Sequence, residues 1–228
     1  MTSTHDPLPL APWRTLFRVG AVAAFTSAAL IPVQLAFYVL NPPPATVAGW
    51  FALLQERPLA GLVAMDLLYL GNNVAAMLLY LALFAALFRL APSLLTIALA
   101  LGLVGLAAYF ASNPAFEMLN LAQQHGAAGT ANEQSLFLAA GHAALARYTG
   151  TAFDAYYVLS AVALTLISVA MLRTSVFSRA AGLTGLIAGI AMMVPSTAGV
   201  FGLTLALLSL IPWAAFAILV GLQLLRMR

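Results

Sequence analysis

Asp66 and Asp154 are the two acidic residues whose setting could support chemistry. Each stands at the head of a long apolar run, "MDLLYLGNNVAAMLLYLALFAALF" for Asp66 and "FDAYYVLSAVALTLISVAML" for Asp154. A pair of carboxylates can act as general acid and base when one holds its proton and both reach the reacting group. Their neighbours are polar too. Asp66, Tyr69 and Asn73 are spaced i, i+3, i+7, which puts them on one helix face, with Asn72 adjacent. Asp154 and Tyr157 share a face in the same way. Asn113 and Glu117 follow the apolar run that comes after Asn73. The same eight groups could instead bind a small amphiphile or a lipid.

Other chemistries are excluded by what is missing. There is no G-x-S-x-G, no H-E-x-x-H, no Walker loop and no strand-borne dinucleotide motif. The chain has no cysteine, so thiolate, iron–sulfur and Cys-based zinc chemistry are absent. It has no lysine, which rules out a retinal-type Schiff base. His125 and His142 both lie in one polar segment, not at matching depths on facing helices, so bis-histidine haem ligation is not expected. Together with Glu117 and Asp154 they could supply the three or four ligands of a zinc site, but their spacing carries no signature. No cofactor and no metal is expected.

Structural roles compete for each of these residues. Asp66 could be interfacial, or paired with Arg57. Asp154 could pair with Arg147 or begin a helix. Asn72 and Asn73 could bond across helices as packing contacts. Lone histidines such as His125 and His142 are usually solvated.

The elements that hold these groups must lie in lipid. Hydrophobic residues make up 64% of the chain and charged residues 7%, against about a quarter charged in a soluble domain. The expected fold is all-α, a polytopic six-transmembrane-helix bundle with two amphipathic helices on its outer face. Spans are expected over 19–39, 67–88, 94–110, 155–172, 180–195 and 202–225, in one domain over 13–228 behind a disordered cytoplasmic tail, 1–12. The first run follows Arg14 and Arg18 but is too long for a signal-peptide core and lacks a small-x-small cleavage site, so it reads as an uncleaved span. No internal repeat supports inverted-repeat transporter architecture.

Arginines set the orientation, because short cytoplasmic loops retain positive charge. Arg14, Arg18, Arg89, Arg173, Arg179, Arg226 and Arg228 fall on one side, and only Arg57 and Arg147 on the other. Both termini are therefore predicted to be cytoplasmic, with the protein in the plasma (inner) membrane. The scattered net charge of +3 offers no patch for nucleic acid. The bilayer is the expected partner, and a homo-oligomer is possible.

The connecting segments also carry pattern. Three prolines force 41–44 to be extended, and 45–55 should form a short helix with Trp50 and Phe51 at the membrane surface. The segment 112–150 should hold the two amphipathic helices, split by "GAAGT". Their apolar faces are predicted to be Phe116, Leu119 and Ala122, then Leu136, Ala140, Ala143 and Ala144, with Asn132 as a cap. Gly182, Gly185 and Gly189 form a small-residue seam on the fifth span.

Depth ties the polar groups together. Counting back about 20 residues from Arg89 and from Arg173 places Asp66 and Asp154 at the outer interface. Gln34, Asn72, Asn73, Asn113, Tyr157 and Ser196 lie at a similar level, and the inner halves are almost purely apolar. This favours an outward-facing polar pocket that binds or senses an amphiphile. The alternatives are an intramembrane enzyme using the carboxylate pair, a transporter, or a scaffold subunit.

The runs "ASNPAFEMLNLAQQ", "AAGHAALARYTGTAFDAYYVL", "ISVAMLRTSVFSR", "GLTGLIAGIAMMVPSTAG" and "SLIPWAAFAILVGLQLLR" resemble the bacterial domain-of-unknown-function 4386 family of integral membrane proteins. The likeness extends over most of the chain from Asp66 onward. It implies a six-span helical bundle. It implies no activity and assigns no catalytic residue.

Overall fold

Apolar runs of this length satisfy their backbone groups internally only as helices, the solution open to a chain in lipid. The computed structural model describes residues 11–227, and they contain helices and no strand. After a 3-10 turn, Ala11–Trp13, come α1 (Arg14–Leu40), α2 (Val47–Glu56), α3 (Pro58–Ala64), α4 (Leu67–Leu87) and α5 (Pro92–Ser112). They are followed by α6 (Ala115–Ala127), α7 (Ala131–Tyr148), α8 (Thr151–Leu172), α9 (Arg179–Ala191) and α10 (Gly199–Arg226). Most of the expected tail, 1–10, lies outside the described residues.

Five helical stretches are long and apolar enough to cross a membrane: α1, α4, α5 with α6, α7 with α8, and α10. Helix α9 is apolar but has 13 residues, about 20 Å of rise against a hydrocarbon core of about 30 Å.

Six helices close into a ring in the order α1, α4, α5, α8, α9, α10 and back to α1. The ring is filled by Phe17, Leu79, Leu83, Leu164, Phe216 and their neighbours, a continuous apolar core. Small residues bring the helices close. A side chain at Gly185 would meet the Phe216 ring at 2.7 Å, and one at Gly182 would meet Leu172 at 2.7 Å. The glycine seam is thus the packing face of α9 against α8 and α10.

Helices α2, α3, α6 and α7 form a separate layer with its own small core, built on Trp50, Phe51, Leu54, Met118 and Ala122. Several local expectations are corrected here. Trp50 and Phe51 are buried, at 5% and 1% exposure, because the layer folds over them. The inward face of α6 is Ala115, Met118 and Ala122, whereas Phe116 is 61% exposed. Helix α7 docks through Gly141 onto Val47 and Phe51, leaving Leu136 and Ala143 outside. Its cap is Thr130, not Asn132: Thr130 accepts from the Glu133 N–H while the Glu133 carboxylate accepts from the Thr130 N–H, a capping box. The short helix α3 has no counterpart among the predicted elements.

Candidate functional site

Asp66 terminates one helix and starts the next. It is the one non-glycine among the described residues with a left-handed backbone, φ 66° and ψ 26°. Such a conformation is uncommon outside glycine, and least so for Asp and Asn. The corner is clamped by Asn113, which donates from Nδ2 to the Met65 carbonyl at 2.9 Å while its Oδ1 accepts from the Ala115 N–H at 3.0 Å. Asp66 sits at the N-cap of α4, yet its side chain caps nothing. Instead the carboxylate turns away to other elements. One oxygen accepts from Gln34 Nε2 at 2.9 Å and from the Tyr38 hydroxyl, both on α1. The other accepts from the Tyr148 hydroxyl at the end of α7. Burial pushes this carboxyl, which precedes the span, above the usual carboxylate range, while the Tyr148 and Tyr38 hydroxyls pull it back.

Deeper along α4 a second network is directed by its donors. Asn73 donates from Nδ2 to the Tyr69 carbonyl at 3.1 Å, leaving Oδ1 to accept from the Tyr156 hydroxyl at 3.1 Å. Tyr156 has then used its proton. Tyr69, 3.0 Å away, must donate to it. Tyr109 packs against both rings, with centroids at 5.3 and 4.8 Å. All seven tyrosines of the chain take part in this region: Tyr38 and Tyr148 on Asp66, Tyr69 and Tyr156 in the network, Tyr109 packed on both with its hydroxyl unpartnered, Tyr80 and Tyr157 on cavity walls.

Two adjoining cavities open from these groups. The larger, about 260 Å³, lies between the C-terminal half of α1 and the N-terminal halves of α4, α8 and α10. Its polar end is Gln34, Tyr38, Asp66 and Asn72, and its apolar wall includes Leu30, Leu35, Leu203 and Leu207. The rim residues Leu35, Leu203 and Leu207 are 37%, 51% and 50% exposed, so the mouth faces sideways between α1 and α10. These two helices are joined lower down, where the Trp213 indole donates to Ser27 Oγ at 3.1 Å. Pro32 and Pro212 lie just beyond that joint, and a proline inside a helix removes a backbone bond and bends it. The smaller cavity, about 50 Å³, continues inward past Asn72 and Asn73 to Ser160 and Trp213. Asn72 and Ser160, at 7% and 4% exposure, have a side-chain oxygen on these cavities with no protein partner.

The predicted residues divide on this geometry. Asp66, Tyr69, Asn72 and Tyr157 line the larger cavity, and Asn73 lines the smaller one. Asn113 stands behind Asp66 as its backbone clamp. Glu117 is on the surface, paired with Arg147 at 3.0 Å, the one ion pair among the described residues. Arg147 is therefore not the partner of Asp154, nor Arg57 of Asp66. Asp154 accepts from the Thr197 hydroxyl at 2.5 Å and lines neither cavity. His125 rests half-buried on Phe51, with ring centroids at 5.3 Å. No three of His, Asp and Glu come together among the described residues. The residues not singled out from sequence include Tyr38, Tyr148 and Tyr156, and on the smaller cavity Tyr80, Ser160 and Trp213. Tyrosines near a helix end read as interfacial anchors, and nothing in their spacing marks which carboxylate or amide they meet.

No family model, curated protein or solved structure matches the chain. The resemblance drawn from sequence therefore adds no residue role to this site.

Proposed function

We propose that the chain is a six-span plasma-membrane protein that binds or senses a small amphiphile or lipid entering from the outer leaflet. Both termini would be cytoplasmic, with α9 as the short sixth span and α2, α3, α6 and α7 as the outer layer. The observation that carries this reading is the sideways cavity. It joins a polar end at Asp66, Gln34 and Asn72 to an apolar wall on α1 and α10. Sites for small molecules have this composition, mostly apolar with a few convergent polar groups. The unpartnered Asn72 oxygen supplies an acceptor that a head-group could satisfy.

Two other readings draw less support. An acid–base pair needs both carboxylates near one reacting group, and Asp66 and Asp154 share no hydrogen-bond partner. Transport needs polar groups reaching the inner side, where Leu79, Leu83, Leu164 and Phe216 are packed without exposure above 1%.

Native mass spectrometry of protein released in mild detergent tests the proposal. Wild type should carry a discrete amphiphile adduct, and Leu207→Trp, which puts bulk at the exposed rim, should lose it while remaining folded. The same adduct on both proteins, or no adduct on wild type, would overturn it.

A further inference from the structure

We infer that the head-group taken by the larger cavity is a cation, a protonated or quaternary amine, held by the Asp66 carboxylate among aromatic rings. The inference rests on the amphiphile reading above and adds the charge of the head. Among the described residues, Asp66 is the only charged side chain that lines the cavity. Its three partners, Gln34, Tyr38 and Tyr148, are all neutral donors, so they solvate the charge without cancelling it. A carboxylate turned away from water into a protein cavity is costly unless a positive charge or a proton joins it. Among the described residues no arginine or histidine forms an ion pair with it. What neutralises it is then a proton or a cation brought by a ligand.

The rest of the polar end fits a cation. Tyr38, Tyr69, Phe153 and Tyr157 line the same space, and aromatic rings attract ammonium groups through their quadrupoles. The free Asn72 oxygen is an acceptor, able to take an N–H from a protonated amine. An anionic head would meet Asp66 with no basic side chain on the cavity wall to offset the repulsion. A neutral sugar head would leave the carboxyl to be neutralised by a proton alone. The backbone is strained to left-handed φ, and the helix-capping role of Asp66 is forgone, with the effect of aiming this carboxylate into the bundle.

The test is equilibrium binding of radiolabelled decyltrimethylammonium to the protein in nanodiscs of an uncharged glycolipid, corrected for empty nanodiscs. Competitors are decyl glucoside, decyl sulfate and tetramethylammonium. Saturable binding is expected. Unlabelled decyltrimethylammonium should displace the label roughly tenfold or more better than decyl glucoside or decyl sulfate. Asp66→Asn should weaken the cation by about the same factor and remove most of its advantage over decyl glucoside. Equal displacement by all three decyl heads would overturn the cation inference and leave the amphiphile reading standing. Tetramethylammonium displacing as well as its decyl counterpart would keep the cation and overturn the amphiphile. Absence of saturable binding would overturn both. The competitor ranking on wild type decides the matter even if the variant does not fold.

Discussion

At the scale of single residues, Asp66 carries two separable demands, a left-handed backbone and a carboxylate. Asn tolerates the same φ and keeps one acceptor oxygen, so Asp66→Asn should cost less than about 1.5 kcal/mol of stability, the value of an ordinary hydrogen bond. Asp66→Ala keeps neither feature and leaves the Tyr38 and Tyr148 hydroxyls without their acceptor, while Gln34 keeps its bond to Tyr38. It should cost about 3 kcal/mol or more, from unmet donors at roughly 1–3 kcal/mol each and the backbone penalty. At acid pH, where the raised carboxyl keeps its proton, thermal unfolding in detergent should rank wild type, Asp66→Asn and Asp66→Ala in that order. Equal melting of the two variants would show that the carboxylate is not held as described. The pH dependence follows from the raised carboxyl. A carboxyl raised in the folded state stabilises most below its unfolded value, and that contribution is lost as pH rises through the folded value. Without ligand, melting temperature should fall as buffer goes from acid toward neutral, and Asp66→Asn should remove that component. With decyltrimethylammonium the fall should flatten, because the cation replaces the proton. Depth along the helix made Asp66, Tyr69, Asn72 and Tyr157 legible in the sequence. Direction around the helix was not legible for Glu117 and Asp154, which share that depth but meet Arg147 and Thr197 instead.

At the scale of elements, the site is set by a corner rather than by a helix. Asn113 joins the α5–α6 corner to the carbonyl just before Asp66 and touches neither cavity. Asn113→Ala removes both bonds from a buried position. It should destabilise by about 1–3 kcal/mol and weaken decyltrimethylammonium binding, although no ligand contact is lost. Unchanged binding in a destabilised Asn113→Ala protein would show that Asp66 holds its place without the clamp. Helix α9 presents the opposite case, where shape alone matters. Gly185→Leu would drive a side chain into Phe216 and should cost about 1–3 kcal/mol by overpacking, measured as a lower melting temperature. The apolar runs and the glycine seam were readable because lipid and close packing each impose one composition. The inward faces of α6 and α7 were not, since both helices carry small apolar residues on more than one side. Gly141, which no apolar count registers, decides how α7 docks.

At the scale of the whole molecule, both cavities lie toward the end of the ring covered by α2, α3, α6 and α7, and the packed apolar core lies toward the other end. Which end faces outward depends on α9 crossing the membrane, which its 13 residues leave to be tested. In the ring α9 lies between α8 and α10 and packs along both. If it crosses, Ala198 after α9 and Asn132 at the start of α7 face the outside. Ser93 at the start of α5 and Ser175 between α8 and α9 then face the cytoplasm. All four are exposed. The chain has no cysteine, so each can be replaced singly by cysteine in an otherwise unreactive protein. Asn132→Cys and Ala198→Cys should label in intact cells with a membrane-impermeant maleimide, and Ser93→Cys and Ser175→Cys only after permeabilisation. Labelling of Ala198→Cys only after permeabilisation would leave five spans. With an odd number of crossings the two termini would lie on opposite sides. The end of α10 that carries Arg226 would then face outward, against the arginine bias that sets the orientation. The cavity mouth, framed by α1 and α10, would lose its place in the outer leaflet.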